Sequence, residues 1–356
     1  MDQNRVFMQR CFQLALKGEG FTKPNPVVGA VVVHDNKIIG EGYHRHFGGP
    51  HAEVNAINSV KNQSLLTEST LYVSLEPCAH QGKTPPCAEL IISKKIPRVV
   101  IAVKDPNPQV SGRGVKMMRE AGIEVVESVL EEEARNINRF FFTRHELSRP
   151  FVVLKWAQTK DGFIDSNRSP DDNLQPVIIS NKLTHSIVHR FRTRVQGILV
   201  GTNTAILDNP QLTSRKWYGG NPTRITIDRE NKIPRSHRIF DGKASTIIFT
   251  ETTPVLSEHI PNLSFIEIDF SQQTNKQILN HLYQNNIYSV LVEGGSKLLT
   301  GFIQNNLWDE AYIEVADITL SSGVKAPEIN GSEIEVKQYL NSSQFLLKRK
   351  ITRNIL

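Results

Sequence analysis

The chain has 356 residues, 39% of them hydrophobic and 22% charged, with a formal net charge of +6. That length exceeds what one hydrophobic core usually serves, and the near-average composition excludes a disordered or low-complexity chain, so two folded domains are expected. No apolar run approaches the roughly 20 residues that cross a bilayer, and the opening MDQNRVFMQR lacks the charged-then-apolar order of a signal peptide, so no membrane partner and a cytoplasmic location are expected.

The positive excess is spread thinly over both halves, without a basic arm or an RNA-binding signature. A small anionic substrate is therefore expected rather than nucleic acid. Three cysteines are too few, and odd in number, for a disulfide framework. Cys11 lies in the amphipathic stretch RVFMQRCFQLAL and reads as core packing, whereas Cys78 and Cys87 lie among Pro, Gly and His.

In chain order, residues 4–18 read as a helix ended by Gly18 and Gly20. GAVVV (29–33) and KIIGEGYH (37–44) form a strand pair around His34-Asp35-Asn36. Residues 51–61 are helical, TLYVSL (70–75) is a strand, CAELIISKK (87–95) a helix and RVVIAV (98–103) a strand. GRGVKMMREAG then gives a helix, IEVVES (123–128) a strand, and one acidic helix runs from Glu131 to about Glu146. Strands alternating with helices imply a largely parallel, three-layer α/β/α sheet. Ser148-Arg149-Pro150 marks a boundary, giving domains 1–148 and 149–356.

The second part opens on the β-prone run FVVLKWAQT (151–159). Strands are expected at GILVG (197–201), TRITID (223–228), STIIFT (245–250), SFIEID (264–269) and SVLVEG (289–294), with helices at about 181–195, 274–285 and 295–305. This is a second α/β domain, and no repeat links it to the first.

Two segments carry the chemistry: His51-Ala52-Glu53, and Glu76-Pro77-Cys78 continuing to Pro85-Pro86-Cys87. Catalytic zinc takes three protein ligands and keeps a fourth position for water, whose pKa it lowers. His51, Cys78 and Cys87 meet that count, and Glu53 is placed to move a proton from the water to a leaving amine. His51 and Cys87 each open an expected helix, whose partial positive charge favours thiolate. An isolated His-x-Glu is usually a solvated pair, and a Pro-Cys dipeptide usually a turn. Together, each at a helix start after a strand, they match the H-x-E…P-C signature of nucleobase deaminases. That signature usually ends Cys-x-x-Cys, whereas here the loop from Cys78 to Cys87 carries His80, Lys83 and Thr84, suited to a polar or phosphorylated substrate.

PNPVVGAVVV (24–33), GEGYHRHFGGPHAEVNAI (40–57), EPCAHQGKTPPC (76–87) and DPNPQVSGRG (105–114) resemble the deaminase domain of the bifunctional riboflavin-biosynthesis deaminase–reductases. RPFVVLKWAQTKDG (149–162), ILVGTNTAILDNPQLTSR (198–215), NPTRITID (221–228) and LVEGGSKLL (291–299) resemble their reductase domain, the likeness fading after about residue 317. The resemblance implies a cytidine-deaminase-like α/β/α domain followed by a dihydrofolate-reductase-like α/β domain. It also implies Zn2+ and NADPH as cofactors, a phosphorylated ribosylaminopyrimidine substrate, and a tendency to self-associate as a homo-oligomer. By the same analogy Asn25, His44, His80, Lys83, Asp105 and Asn107 line the deaminase pocket. Lys155, Ser180, Leu212, Arg215 and Glu293 contact the substrate of reduction. Gln158, Thr204, Asp208 and the run Gly295, Ser296, Lys297, Leu298, Leu299, Thr300 and Gly301 contact NADPH.

The residues themselves support parts of this. No G-x-G-x-x-G follows a strand, so a Rossmann cofactor site is not indicated. Val292-Glu293-Gly294-Gly295-Ser296 instead runs from strand to helix through two glycines, which allow close backbone approach, and the helix N-terminus suits a phosphate. The guanidinium of Arg215 can bind phosphate bidentately. Against the family pattern, Lys160 stands in a usual Ser-Leu-Asp-Gly segment, Ile178 where a tryptophan is usual, and His185 where an arginine is usual, unless Arg190, Arg192 or Arg194 substitutes. Two other readings stay open: a nucleoside or tRNA deaminase with a degenerate second domain, and a structural zinc knot with His80 as fourth ligand.

Overall fold

The computed structural model describes residues 2–79, 85–108, 110–172, 174–256 and 258–350. The chain divides into two compact units, Met1–Ser148 and Arg149–Leu356.

In the first unit, helix α1 (Gln3–Ala15) precedes strands β1 (Gly29–His34) and β2 (Lys37–Tyr43). Then come α2 (Ala52–Ser59), β3 (Thr70–Val73), α3 (Cys87–Ser93), β4 (Arg98–Ile101), α4 (Arg113–Glu120), β5 (Glu124–Val126), α5 (Glu131–Ile137) and α6 (Arg139–Leu147). The sheet order is β2-β1-β3-β4-β5. The first strand runs antiparallel to both neighbours, and β3, β4 and β5 are parallel. A two-residue turn joins β1 to β2, with Asp35 and Asn36 both at positive φ (45 and 59°), as this tight hairpin requires.

Alternation buries both faces of this sheet. Val32, Leu71, Val73, Val99 and Ile101 pack with α2, α3 and α4, while Val31, Val33, Tyr72 and Val100 pack with α1, α5 and α6. The result is the three-layer α/β/α arrangement expected.

The expected single acidic helix is two helices, α5 and α6, broken at Asn138 (φ −104°, ψ 26°). The periodicity runs through the break, but Asn138 is spent elsewhere. Its buried side chain donates to Val27 O and accepts from Val27 N, both at 2.9 Å.

The second unit runs β6 (Phe151–Thr159), β7 (Phe163–Asp165), α7 (Lys182–Arg194), β8 (Gly197–Val200), α8 (Thr202–Asp208), β9 (Thr223–Ile227), β10 (Thr246–Thr250) and β11 (Leu263–Glu267). It continues through α9 (Thr274–Gln284), β12 (Ser289–Gly294), α10 (Ser296–Gln304), β13 (Glu310–Ala316), β14 (Val324–Lys325), β15 (Ser332–Tyr339) and β16 (Ser342–Lys348). Nine strands form one sheet, ordered β11-β10-β9-β8-β12-β6-β13-β16-β15, parallel from β11 to β13 and antiparallel at the β16 and β15 edge. Val152, Leu154, Trp156, Leu199, Phe249, Ile278, Leu299 and Phe302 belong to its core. Strand β7, the short α8 and every strand after β12 go beyond the sequence expectation. In the edge strand β15, Ile334 and Val336 alternate with Glu333, Glu335 and Lys337, but that apolar side stays exposed.

Candidate active sites

In the first unit, His51 is the N-cap of α2, and Cys87 is the first residue of α3. Cys78 lies in the segment after β3. These elements bring one imidazole and two thiols together with all ligand atoms within 4.8 Å of one another. His51 Nδ1 is 3.3 Å from Cys87 Sγ and 3.5 Å from Cys78 Sγ. A tetrahedral zinc with ordinary Zn–S and Zn–N bonds holds such atoms about 3.6 Å apart, so this donor set fits zinc in kind and spacing. Hydrogen bonding from Cys87 pulls the Cys78 thiol down to about 4 against the effect of burial, with help from His51. The bond to Cys78, with burial and Glu53 beside it, pushes Cys87 up. His51 rises to about 9, chiefly through Cys78.

Glu53 sits in the first turn of α2 and is buried. Burial pushes its carboxyl up to about 6, with His51 opposing. A carboxyl poised there can both take and release a proton near neutral pH. His44 packs edge-on against His51, ring centroids 5.7 Å apart. Its Nδ1 is 3.0 Å from Pro50 O, a pure acceptor, so Nδ1 carries the proton and Nε2 accepts from Asn25 Nδ2 at 3.4 Å. Burial lowers the His44 pKa, in keeping with a neutral ring. Asn25, His44, His51, Glu53, Cys78 and Cys87 thus form one connected group. Asp105 and Asn107 lie on the segment after β4, where Asp105 Oδ1 accepts from Asn107 N at 2.8 Å. His80 and Lys83 lie outside the described residues.

In the second unit a cavity of about 960 Å³ opens where β6 and β12 meet the N-terminal turns of α8 and α10. Of the expected residues it is lined by Lys155, Ser180, Glu293, Thr204, Asp208, Gly295, Ser296, Lys297, Leu298, Leu299 and Gly301. Leu212, Arg215, Gln158 and Thr300 do not line it. Leu212 is buried, and Gln158 accepts from Trp156 Nε1 at 2.7 Å. Arg215 is exposed, with its pKa lowered by burial of part of the side chain and by Arg192 and Arg238.

Three adjacent strands supply the charges. Lys155 of β6 is partly buried, which lowers its pKa, and the carboxylates of Glu293 (β12) and Glu314 (β13) oppose that. Burial pushes the Glu293 carboxyl up, but Arg192 and Lys155 overcome it and hold it below the usual range. Arg192 reaches Glu293 through Nη2 (2.7 Å) and Nε (3.2 Å), and donates from Nη1 to Thr213 O (3.0 Å). Ser180 and Thr184 both donate to the wholly buried Glu314, at 2.6 and 2.8 Å. Gly294, at φ +139°, turns the chain from β12 into α10, whose N-cap is Gly295. A Cβ on Gly201 would sit 3.6 Å from Gly295 N, so these two backbone segments lie side by side. This glycine-lined approach to the α10 N-terminus fits a phosphate-bearing nucleotide such as NADPH.

Of the family departures, His185 and Ile178 line the cavity, whereas Lys160 is exposed and paired with Asp317 at 2.8 Å. Sequence reasoning missed Glu314 and the Arg168 bridge between Asp165 and Asp208. It also left Arg192 as one of three arginines that might replace His185 without finding its bond to Glu293. Glu314, Arg192 and the Arg168–Asp208 contact have partners distant in sequence, and the local Asp165–Arg168 pair alone does not mark a site.

The first unit is therefore of the zinc deaminase class, and the second is a nucleotide-cofactor α/β domain. Residues 1–103 match the cytidine and deoxycytidylate deaminase zinc-binding region, and residues 150–344 match the RibD C-terminal domain. The riboflavin biosynthesis protein RibD of Aquifex aeolicus is 38% identical over 94% of this chain and 92% of its own. That of Bacillus amyloliquefaciens is 38% identical over 92% and 88%. A crystal structure of a diaminohydroxyphosphoribosylaminopyrimidine deaminase/5-amino-6-(5-phosphoribosylamino)uracil reductase from Thermotoga maritima superposes with a TM-score of 0.88 at 39% identity, covering 98% of this chain and 99% of that one. RibD of Acinetobacter baumannii gives 0.88 at 31% identity, with the same coverage.

The chain belongs to the RibD family, the bifunctional deaminase–reductases of riboflavin biosynthesis. Its first domain is a cytidine-deaminase-like zinc domain and its second a dihydrofolate-reductase-like, NADPH-dependent reductase domain.

Proposed function

We propose that residues 1–148 hydrolyse the 2-amino group of 2,5-diamino-6-ribosylamino-4(3H)-pyrimidinone 5′-phosphate to a carbonyl, releasing ammonia. Residues 149–356 then reduce the ribosyl group of that product, 5-amino-6-(5-phosphoribosylamino)uracil, to ribityl. The observation that carries the first step is the His51, Cys78 and Cys87 donor set with the buried Glu53 two residues from His51.

Bound zinc supplies a Lewis acid that makes water nucleophilic near neutral pH. His51, Cys78 and Cys87 hold it. Glu53 accepts the proton of the attacking water and delivers it to the departing nitrogen, a role its carboxyl suits at about 6. Asn25 and His44 orient the pyrimidine edge, with Asp105 and Asn107 on the adjoining segment. In the second unit NADPH supplies the hydride. Gly295 to Gly301, Thr204 and Asp208 hold the cofactor, while Lys155, Ser180 and Glu293 meet the sugar. Arg215 anchors the phosphate.

No helix among the described residues is long and apolar enough to cross a membrane. A cytoplasmic location and a homo-oligomer, without nucleic acid as partner, complete the proposal and rest on the family likeness.

Glu53→Gln is the test. It should retain zinc and NADPH-dependent reduction while ammonia release falls by about 100- to 10,000-fold. Unchanged ammonia release would remove Glu53 from the mechanism.

A further inference from the structure

We infer that Glu76 is a positioning residue of the deamination site, its one carboxylate fixing the Cys78 ligand segment and the Asp105–Asn107 segment in a single frame. This rests on the deamination reading above.

Glu76 is 3% exposed. Among the described residues no lysine, arginine or histidine pairs with it. Among the described residues its carboxylate is met by backbone donors: Oε2 accepts from Asp105 N (3.2 Å) and Gly112 N (3.0 Å), and Oε1 from Val115 N (3.3 Å). Gly112 is the N-cap of α4 and offers no side chain to its first turn. The cap instead comes from 36 residues upstream. Burying a carboxylate without a cation is costly, and three N–H donors, two of them (Gly112 and Val115) at the positive end of α4, offset that cost.

What this arrangement achieves is coupling. Glu76 N donates to Val103 O at 3.0 Å, and two residues later Cys78 accepts at its carbonyl from Ala88 N (3.1 Å) and at Sγ from Cys87 N (3.4 Å). The same carboxylate therefore ties the ligand segment to Asp105, whose Oδ1 in turn sets Asn107. A second contact is independent of the carboxylate. Gly114 packs so closely on the Glu76–Cys78 segment that a Cβ there would lie 2.1 Å from Pro77 O. Shifting either contact moves the pyrimidine-facing segment relative to Cys78 without touching a ligand atom.

The test uses the full-length, zinc-loaded protein carrying Glu76→Gln or Gly114→Ala. The amide keeps the size of the side chain but turns N–H groups toward backbone N–H. The added methyl pushes α4 away from Pro77 O without changing the charge of Glu76. Four quantities are read: zinc per chain, KM and kcat for ammonia release, NADPH-dependent reduction of the deaminated product, and amide exchange at Asp105, Gly112 and Val115.

Both variants should keep zinc and reduction at parental levels and raise the deamination KM about tenfold or more, with a smaller change in kcat. Glu76→Gln should speed exchange at the three amides about tenfold, the scale of one lost charge-assisted hydrogen bond. Zinc lost in proportion to activity at unchanged KM would overturn the inference, because Glu76 would then only support the fold. A KM unaltered in both variants would overturn it too. If the parent itself released no ammonia, the deamination reading would fail separately, and parental protection at the three amides in Glu76→Gln would still overturn the clamp.

Discussion

Arg192→Met probes the charge arrangement of the reductase cavity. It leaves Glu293 buried without its bidentate partner and frees Thr213 O. The two side chains are 11% and 10% exposed, so the pair falls under the rule for buried ion pairs, where removing one partner costs about 3–5 kcal/mol. Lys155 still attracts Glu293, which places the expectation near about 3 kcal/mol. With a urea slope of about 2 kcal/mol/M, the midpoint should fall by about 1.5 M at neutral pH. All three tryptophans (Trp156, Trp217 and Trp308) lie in the second unit, so their fluorescence reports that unit alone.

The pH dependence fixes the cause. In the parent, burial would raise the Glu293 pKa, but Arg192 and Lys155 hold it below the unfolded value. Its contribution is therefore present above the unfolded carboxyl pKa of about 4.3 and lost as pH falls through the lower folded value. Without Arg192, burial dominates and the folded pKa rises above the unfolded one, so the variant loses stability as pH climbs from about 4 to 8. The gap between variant and parent should be widest at neutral pH and shrink toward about pH 4. A gap below about 1 kcal/mol, or one constant across that range, would refute the buried ion pair.

Asn138→Ala should cost the first unit about 2–5 kcal/mol, because Val27 N–H and C=O both lose their buried partner. Amide exchange in β1 would report it, and parental protection would contradict it. Arg215→Ala should raise the KM for the phosphorylated substrate of reduction about tenfold or more while leaving the KM for NADPH unchanged. Equal effects on both would place Arg215 at the cofactor instead.

Much of the fold was legible because period and punctuation agreed. The continuous apolar run of β1, the Asp35-Asn36 turn and the strand–helix sequence through β5 leave little choice of layers. The donor set was legible for another reason: His51 and Cys87 stand at helix starts beside Pro50 and Pro86, and Cys78 follows Pro77 just after a strand, so local sequence already implies placement. Asn138 was not legible, since nothing near it in sequence announces that its amide is taken by Val27. Glu76 stood in plain view within Glu76-Pro77-Cys78, yet its partners lie between Asp105 and Val115, and only the tertiary structure supplies them. The reductase cavity was harder still, as Lys155, Glu293 and Glu314 come from three strands whose adjacency is not in the sequence order.

One chain carries two consecutive chemistries, the first dependent on zinc and the second not. The most direct test follows ammonia and NADPH together, with the diaminopyrimidine ribosyl phosphate as sole substrate, before and after chelation. The zinc-loaded protein should release one ammonia for each NADPH oxidised. The chelated protein should do neither, yet should still oxidise NADPH when given the deaminated product. Ammonia release that survives removal of zinc, or NADPH oxidation by neither substrate in folded protein, would contradict this pairing of chemistries.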